Sequence, residues 1–228
     1  MKILLSGVTR GYGALRCGRN LGTALLISGV IAGGARAEIV VAALGDSLTQ
    51  GYGLPQDDGF VPQMEMWLRD QGYEVELINA GVSGDTTAGG LARVAWTLTP
   101  EVDAMIVALG GNDFLRGIDP AVSRENLAGI LEAARAADVE VLMVGLEASS
   151  NYGPDYKAAF DSMYPELSDE FGVSLVPSWF DGILAASDSD GPSAFMQPDG
   201  IHPNAEGVSV IVDALGPAVV DLVESVSD

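Results

Sequence analysis

The sequence predicts one α/β domain in which a five-stranded parallel sheet carries helices on both faces. Short apolar runs rich in β-branched residues alternate with helix-like segments along residues 38–228, and such alternation is typical of parallel strands joined by helical crossovers. The run Val102–Leu109 is apolar throughout apart from Asp103, as expected for a strand buried on both faces. A chain of 228 residues is long enough for one sizeable core and short for two, so we expect a single domain.

Glycine and proline mark the boundaries of several predicted elements. Gly72 stops the first predicted helix, Pro100 closes the second, and Asp119-Pro120 supplies an N-cap and a first-turn proline for the third. Pro165 lies inside the fourth helix and predicts a bend or break there. In chain order the elements are strand Ile39–Leu44, helix Phe60–Gln71, strand Val75–Ile78, helix Thr87–Leu98, strand Val102–Leu109, a helix from Asp119-Pro120 to about Ala137, strand Val139–Leu146, helix Asp155–Phe171, strand Val173–Val176 and helix Ala205–Val223.

The first 37 residues differ from the rest of the chain. They hold five basic residues and no acidic one, an apolar run from Leu21 to Ala32, and then Ala35-Arg36-Ala37. A basic head, an apolar stretch and a small-x-small site are typical of a secretory signal peptide, which predicts a leader at 1–37 and a mature domain at 38–228. The alternative is an uncleaved membrane anchor, but the run is shorter than the roughly 20 residues that span a bilayer. We therefore expect export to the periplasm or the medium, without a stable membrane anchor.

Removal of this leader would leave a strongly acidic protein. Five of the eleven basic residues lie in the leader, so six remain beside all 32 acidic ones, and the formal charge becomes −26. A field of this sign repels nucleic acid and anionic membrane surfaces, so neither is expected as a partner. Cys17 falls within the leader and His202 is the one histidine, which excludes a disulfide and a histidine-rich metal site from the mature domain. We expect a monomer that needs no metal and no organic cofactor.

The residues that follow each predicted strand form the candidate site, because ligands bind outside the carboxyl ends of the strands in open parallel sheets. Ser47 follows the first strand in Gly45-Asp46-Ser47-Leu48, where Gly45 would permit a tight turn and the hydroxyl would stand at the sheet edge as a nucleophile. A serine here is also a common helix N-cap. The second strand leads into a glycine-rich turn, 79–86, whose backbone N–H groups would face the same edge. The alternative is an ordinary loop that Thr86 caps.

Two further segments complete the pattern. Asn112 in Gly110-Gly111-Asn112-Asp113 can offer a side-chain N–H to an oxyanion, although Asn-Asp after Gly-Gly is also ordinary turn chemistry. Asp199 and His202 are three residues apart on a turn, close enough for the carboxylate to orient the imidazole as a base. The alternative is a structural histidine before a helix opened by Pro203. A serine, an oxyanion donor and an Asp-His pair at successive strand ends together favour a serine hydrolase.

These segments resemble the four blocks of the SGNH, or GDSL, hydrolases. The blocks are Gly45-Asp46-Ser47-Leu48, Gly84, Gly111-Asn112-Asp113 and Asp199-x-x-His202. Within the family the sequence is most similar to the bacterial group of arylesterases, acyl-CoA thioesterase I and lysophospholipase L1, through Leu115-Arg116-Gly117, Asn151-Tyr152-Gly153 and 199–204.

The resemblance implies both a fold and a set of site residues. The implied fold is a flavodoxin-like three-layer sandwich, without the G-x-S-x-G elbow of the α/β-hydrolases. The implied triad is Ser47 as nucleophile, His202 as base and Asp199 as its orienter. The backbone N–H groups of Ser47 and Gly84 and the side chain of Asn112 would form the oxyanion hole.

The sequence thus predicts an exported serine hydrolase that acts on a small-molecule acyl ester or thioester. The residues expected to contact the acyl or aryl group are Phe114, Leu115, Leu146 and Tyr152. A carbohydrate O-acetyl esterase is an alternative within the same chemistry. An alternative from another class is a non-catalytic, acidic carbohydrate- or cation-binding protein on the same fold.

Overall fold

The computed structural model describes residues 38–187 and 191–227, so the predicted leader at 1–37 lies outside the described residues. The strands are β1 (Ile39–Gly45), β2 (Val75–Gly81), β3 (Ala104–Ala108), β4 (Glu140–Val144) and β5 (Ser174–Val176). They form one sheet in the order β2-β1-β3-β4-β5, and every neighbouring pair is parallel. This is the flavodoxin-like strand order, and it confirms the predicted fold class.

Helices cover both faces of this sheet, as the alternating sequence pattern predicted. The α-helices in the described residues are α1 (Ser47–Gln50), α2 (Phe60–Asp70), α3 (Thr87–Thr97), α4 (Gly111–Leu115), α5 (Pro120–Ala136), α6 (Pro154–Phe171), α7 (Asp181–Ala186) and α8 (Ala205–Ser225). In β1, Val41 and Ala43 contribute to a core with α2, α7 and α8. Their neighbours Ala42 and Leu44 contribute to a second core with α3, α5 and α6. Consecutive residues of β1 thus face opposite sides of the sheet, because side chains alternate between the two faces along a strand.

The predicted boundaries agree with these elements to within a few residues, with two exceptions. The possible break at Pro165 is wrong, because α6 continues through this proline to Phe171. Its buried residues on either side, Phe160 and Leu167, belong to one core, and this packing outweighs the single backbone hydrogen bond that a proline removes. The short helices α1, α4 and α7 were not predicted from the sequence. None of the helices in the two described stretches is long and apolar enough to cross a lipid bilayer.

Candidate active site

The central strands bring three of the predicted site residues to one edge of the sheet. Gly45, the last residue of β1, pairs with Gly81 in β2 and with Ala108 in β3. The chain then continues from these three strand ends to Ser47, Gly84 and Asn112 respectively. The strand order therefore places these residues side by side at the carboxyl ends of the strands, where the sequence predicted them.

Ser47 is the first residue of α1, directly after β1. The N-cap of this helix is Asp46, whose Oδ1 accepts a hydrogen bond from Leu48 N at 3.0 Å. The alternative reading of Ser47 as an N-cap is thus wrong, and its hydroxyl is engaged elsewhere. Ser47 Oγ lies 2.9 Å from His202 Nε2, which is hydrogen-bonding distance.

Asp199 holds His202 from the opposite side of the imidazole ring. Asp199 Oδ2 lies 2.6 Å from His202 Nδ1, while Oδ1 accepts from the backbone N–H groups of Ile201 at 2.9 Å and His202 at 3.0 Å. The hydrogen bond from the His202 backbone N–H, followed by those from its ring and from Ile201, lowers the pKa of Asp199 to about 2. The carboxylate is therefore ionised at neutral pH and fixes the ring so that Nε2 faces Ser47.

Contacts around the histidine turn fix its position relative to α8. Gln197 N donates to His202 O at 2.8 Å, and the side chain of Asn204 caps α8 by accepting from Gly207 N at 2.9 Å. The ring of Tyr52 lies 4.6 Å from the imidazole, centroid to centroid, at an interplanar angle of 38°. Sequence reasoning missed Tyr52, because nothing in its local pattern connects it with a histidine 150 residues away.

Asn112 lies in α4, and its side chain contacts the first strand end. Asn112 Nδ2 donates to Asp46 Oδ2 at 3.2 Å. Asp46 is 3% exposed, and this burial raises its pKa, although the hydrogen bonds from Leu48 and Asn112 and the nearby His202 act in the opposite direction. One buried carboxylate thus connects the Ser47 turn with Asn112.

The Gly84 loop is held by two arginines. Gly84 has φ +82°, a left-handed conformation that favours glycine, and its carbonyl accepts from Arg116 Nη2 at 2.6 Å. Arg93 pairs with Asp85 at 2.6 Å and also donates to the carbonyls of Ala80 at 2.6 Å and Gly45 at 2.8 Å. These contacts fix the loop after β2 against the end of β1.

A cavity of about 600 Å³ opens beside these groups. Its lining includes the predicted residues Phe114, Leu115 and Leu146. Tyr152 is not one of the lining residues, but its ring lies edge-on to Phe114 at 5.8 Å and its hydroxyl donates to Leu115 O at 3.3 Å. Tyr152 therefore supports the cavity wall that it was predicted to form.

Much of the apolar lining comes from segments that sequence reasoning did not assign to the site. These residues are Tyr52, Phe160, Phe180, Ile183, Leu184, Pro192, Met196 and Ile201. Several of them lie between β5 and the histidine turn, where the sequence shows no long periodic element. The apolar pair Ile183-Leu184 was the one local signal that could have indicated them.

The chain is similar to known hydrolases in sequence and in structure. Residues 43–210 match the GDSL-like Lipase/Acylhydrolase family. The chain is 40% identical over 188 residues to the esterase TesA of Pseudomonas aeruginosa, covering 79% of this chain and 89% of TesA. It is 34% identical over 191 residues to thioesterase 1/protease 1/lysophospholipase L1 of Escherichia coli, covering 83% and 87% respectively.

A solved structure extends the comparison to the fold. It is the psychrotrophic esterase EstA from Pseudoalteromonas sp., inhibited by monoethylphosphonate, with a TM-score of 0.74, 28% identity, and coverage of 82% of this chain and 100% of EstA. Fold, strand-end blocks and sequence similarity agree: the chain belongs to the GDSL-like lipase/acylhydrolase family and is an esterase of the SGNH type.

Proposed function

We propose that the protein is an exported serine hydrolase that cleaves carboxylic esters or thioesters through an acyl-enzyme on Ser47. The observation that carries the proposal is the continuous hydrogen-bonded series from Ser47 Oγ to His202 Nε2 at 2.9 Å and from His202 Nδ1 to Asp199 Oδ2 at 2.6 Å. A hydroxyl, a base and an orienting carboxylate in this order are what nucleophilic acyl transfer requires.

Acylation follows from these distances. His202 Nε2 takes the Ser47 proton as Oγ bonds to the substrate carbonyl carbon, and the carbonyl oxygen becomes the oxyanion. His202 then gives that proton to the departing alcohol or thiol as the bond to the leaving group breaks. Water repeats the two steps on the acyl-enzyme, which releases the acid and restores the Ser47 hydroxyl. Asp199 remains ionised throughout and stabilises the imidazolium.

The oxyanion would bind to three N–H donors at adjacent strand ends. Ser47 N is one of the first amides of α1, which a helix leaves without an intrahelical acceptor. Gly84 N lies in the loop that Arg93 and Arg116 fix, and the side chain of Asn112 lines the cavity. Donors that are fixed before the reaction stabilise the charge without reorganisation.

The cavity favours an acyl or aryl substrate. Its lining is largely aliphatic and aromatic side chains, which gain free energy when they bury apolar substrate groups. The relatives named esterase TesA and thioesterase 1/lysophospholipase L1 support ester and thioester hydrolysis. A carbohydrate O-acetyl esterase would need a more polar cleft, so this alternative is disfavoured.

Labelling and kinetics of one variant test the proposal. The purified domain 38–228 should react with a fluorophosphonate probe and hydrolyse p-nitrophenyl octanoate. Ser47→Ala should lose both activities and keep its Tm, because the hydroxyl is small enough to remove without opening a large cavity. Ser162→Ala on α6 is the matched control and should behave as the wild type. Residual turnover in Ser47→Ala above the uncatalysed rate, or probe labelling at another residue, would reject Ser47 as the nucleophile.

We further propose that residues 1–37 are removed on export and that the mature protein begins at Glu38. The basic head, apolar run and Ala35-Arg36-Ala37 site support this assignment. Intact-mass analysis of protein recovered from the periplasm or medium provides the test. A mass that includes the leader would contradict cleavage at this site.

A further inference from the structure

We propose that Asp46 is a positioning residue that sets the orientation of the Asn112 side-chain amide and so completes the oxyanion hole. The inference rests on the proposed function, because the orientation of Asn112 matters to turnover only if this residue stabilises an oxyanion. The two oxygens of the Asp46 carboxylate have separate partners. Oδ1 accepts from Leu48 N at 3.0 Å, and Oδ2 accepts from Asn112 Nδ2 at 3.2 Å.

The chemistry of the pair decides which end of the amide faces the carboxylate. An ionised carboxylate has acceptors and no hydrogen to donate, whereas the end of an asparagine carries both an acceptor oxygen and a donor nitrogen. Only the nitrogen of Asn112 can therefore face Asp46 Oδ2 without repulsion. One N–H then bonds to Asp46, and the second N–H on the same nitrogen is left for an acceptor in the cavity that Asn112 lines.

Without this partner the amide could adopt the opposite orientation. Rotation by half a turn about its last torsion exchanges nitrogen and oxygen and costs little intrinsically, since that torsion is broad and nearly two-fold. The carbonyl oxygen of Asn112 would then occupy the place of the donor nitrogen. An acceptor at this position repels a developing oxyanion. The reversed amide orientation would therefore lower kcat as much as removal of the donor.

The same carboxylate also connects the nucleophile turn to the oxyanion amide. Through Leu48 N it caps α1, in which Ser47 is the first residue. Gly111 leaves space for it on the other side, because a Cβ at position 111 would lie 3.3 Å from Asp46 Oδ2. Asp46 therefore fixes the ends of two neighbouring strands relative to each other and relative to the substrate oxygen.

Helix capping alone does not explain an aspartate at this position. Asparagine and serine are about as good as aspartate at a helix N-cap. Burial raises the pKa of Asp46, so keeping this side chain ionised opposes folding, which a neutral cap would avoid. What the carboxylate adds is an obligatory acceptor facing Asn112.

A double-mutant cycle tests the proposal on the domain 38–228 with p-nitrophenyl octanoate. Asn112→Ala should lower kcat by roughly 10²–10³ with less effect on KM, as for other single oxyanion donors. Asp46→Asn keeps the size and the cap of Asp46 but presents an N–H to Asn112, which favours the wrong amide orientation. Its kcat should fall by a factor in the same range as that of Asn112→Ala, and its Tm should be no lower than that of the wild type. Combining it with Asn112→Ala should cause no further loss, because both changes remove the same donor.

The control is Asp119→Asn, since Asp119 caps α5 by an equivalent bond to Ala121 N at 3.0 Å. It should leave kcat unchanged. If Asp46→Asn does not fold, Asp46→Ser retains a capping hydroxyl but is too short to reach Asn112, and its loss of kcat should likewise disappear in the Asn112→Ala background.

Additive losses in the double variant, or wild-type kcat in Asp46→Asn, would overturn the role of Asp46 while leaving the hydrolase intact. A wild-type protein without ester hydrolysis would instead contradict the proposed function itself.

Discussion

Asp199 contacts His202 through both the imidazole ring and the backbone. One carboxylate oxygen lies 2.6 Å from the ring Nδ1, and the other accepts from the His202 backbone N–H at 3.0 Å. The backbone bond fixes the distance between the two residues, and the ring bond fixes the tautomer. A single side chain therefore holds both the turn and the imidazole ring in place.

Asp199→Asn should separate these two roles. The asparagine carbonyl can still accept from the backbone, so the turn and the Tm should be retained, but its amide nitrogen cannot accept the Nδ1 proton. The imidazole would then lose its productive tautomer, and kcat should fall by roughly 10³–10⁴ with less effect on KM. Steady-state kinetics on p-nitrophenyl esters measure the effect. A loss smaller than tenfold would show that Asp199 contributes little to orienting His202.

The pH profile should separate catalysis from stability. The pKa of Asp199 is lowered from 3.8 to about 2, so its contribution to stability is present above about pH 4 and is lost only as the pH falls towards 2. The loss of kcat/KM on the acid side should instead occur while Asp199 is still ionised, because a general base must be free to accept the Ser47 proton. Activity should thus fall reversibly while circular dichroism shows the protein still folded. If the protein unfolds over the pH range in which activity is lost, the loss of activity reflects unfolding and the prediction is wrong.

The sequence predicted the positions of Ser47 and Asn112 better than it predicted the walls of the cavity. Parallel strands have their carboxyl ends at one edge, so Ser47 and Asn112 were expected there. The walls depend on α7, a short helix placed by its packing against α8 and not by a periodic pattern of its own. The role of Gly45 was also misread: it is the last residue of a strand, and a Cβ there would collide with the side chain of Thr49. Close packing, and not a tight turn, requires this glycine.

The buried hydrogen bonds of Asp113 should contribute strongly to the stability of the folded protein. Asp113 is fully buried, and its carboxylate accepts from Thr87 N at 2.8 Å, Thr87 Oγ1 at 2.5 Å and Ser123 Oγ at 2.9 Å. Asp113→Asn presents a donor to donors that remain buried, which should lower the free energy of unfolding by about 2–4 kcal/mol. Ser123→Ala removes one bond only and should cost about 1 kcal/mol. Urea unfolding measures the free energy of unfolding of both variants. Equal losses would contradict the role of Asp113 as the shared acceptor of these hydrogen bonds.

Acyl selectivity should depend on the apolar residues at the mouth of the cavity. Phe114 packs against the rings of Tyr152, Tyr156 and Phe160, so its replacement would disturb packing as well as binding. Leu115 and Leu184 line the same cavity but are 53% and 59% exposed. They can therefore be changed with little effect on the core.

Leu115→Ser and Leu184→Ser should each flatten the preference for longer acyl chains. Each substrate methylene that loses an apolar contact gives up about 0.8 kcal/mol, or roughly a fourfold change in kcat/KM. The ratio of octanoyl to acetyl ester hydrolysis should fall, by up to about fourfold for each methylene affected, while acetyl ester hydrolysis and the Tm stay near wild type. Met66→Ser is the matched control, because Met66 is equally exposed at 59% but lies on α2, and its ratio should not change. An unchanged ratio in both folded leucine variants would mean that the acyl chain lies against the inner wall at Phe114 and Leu146 and does not reach the mouth.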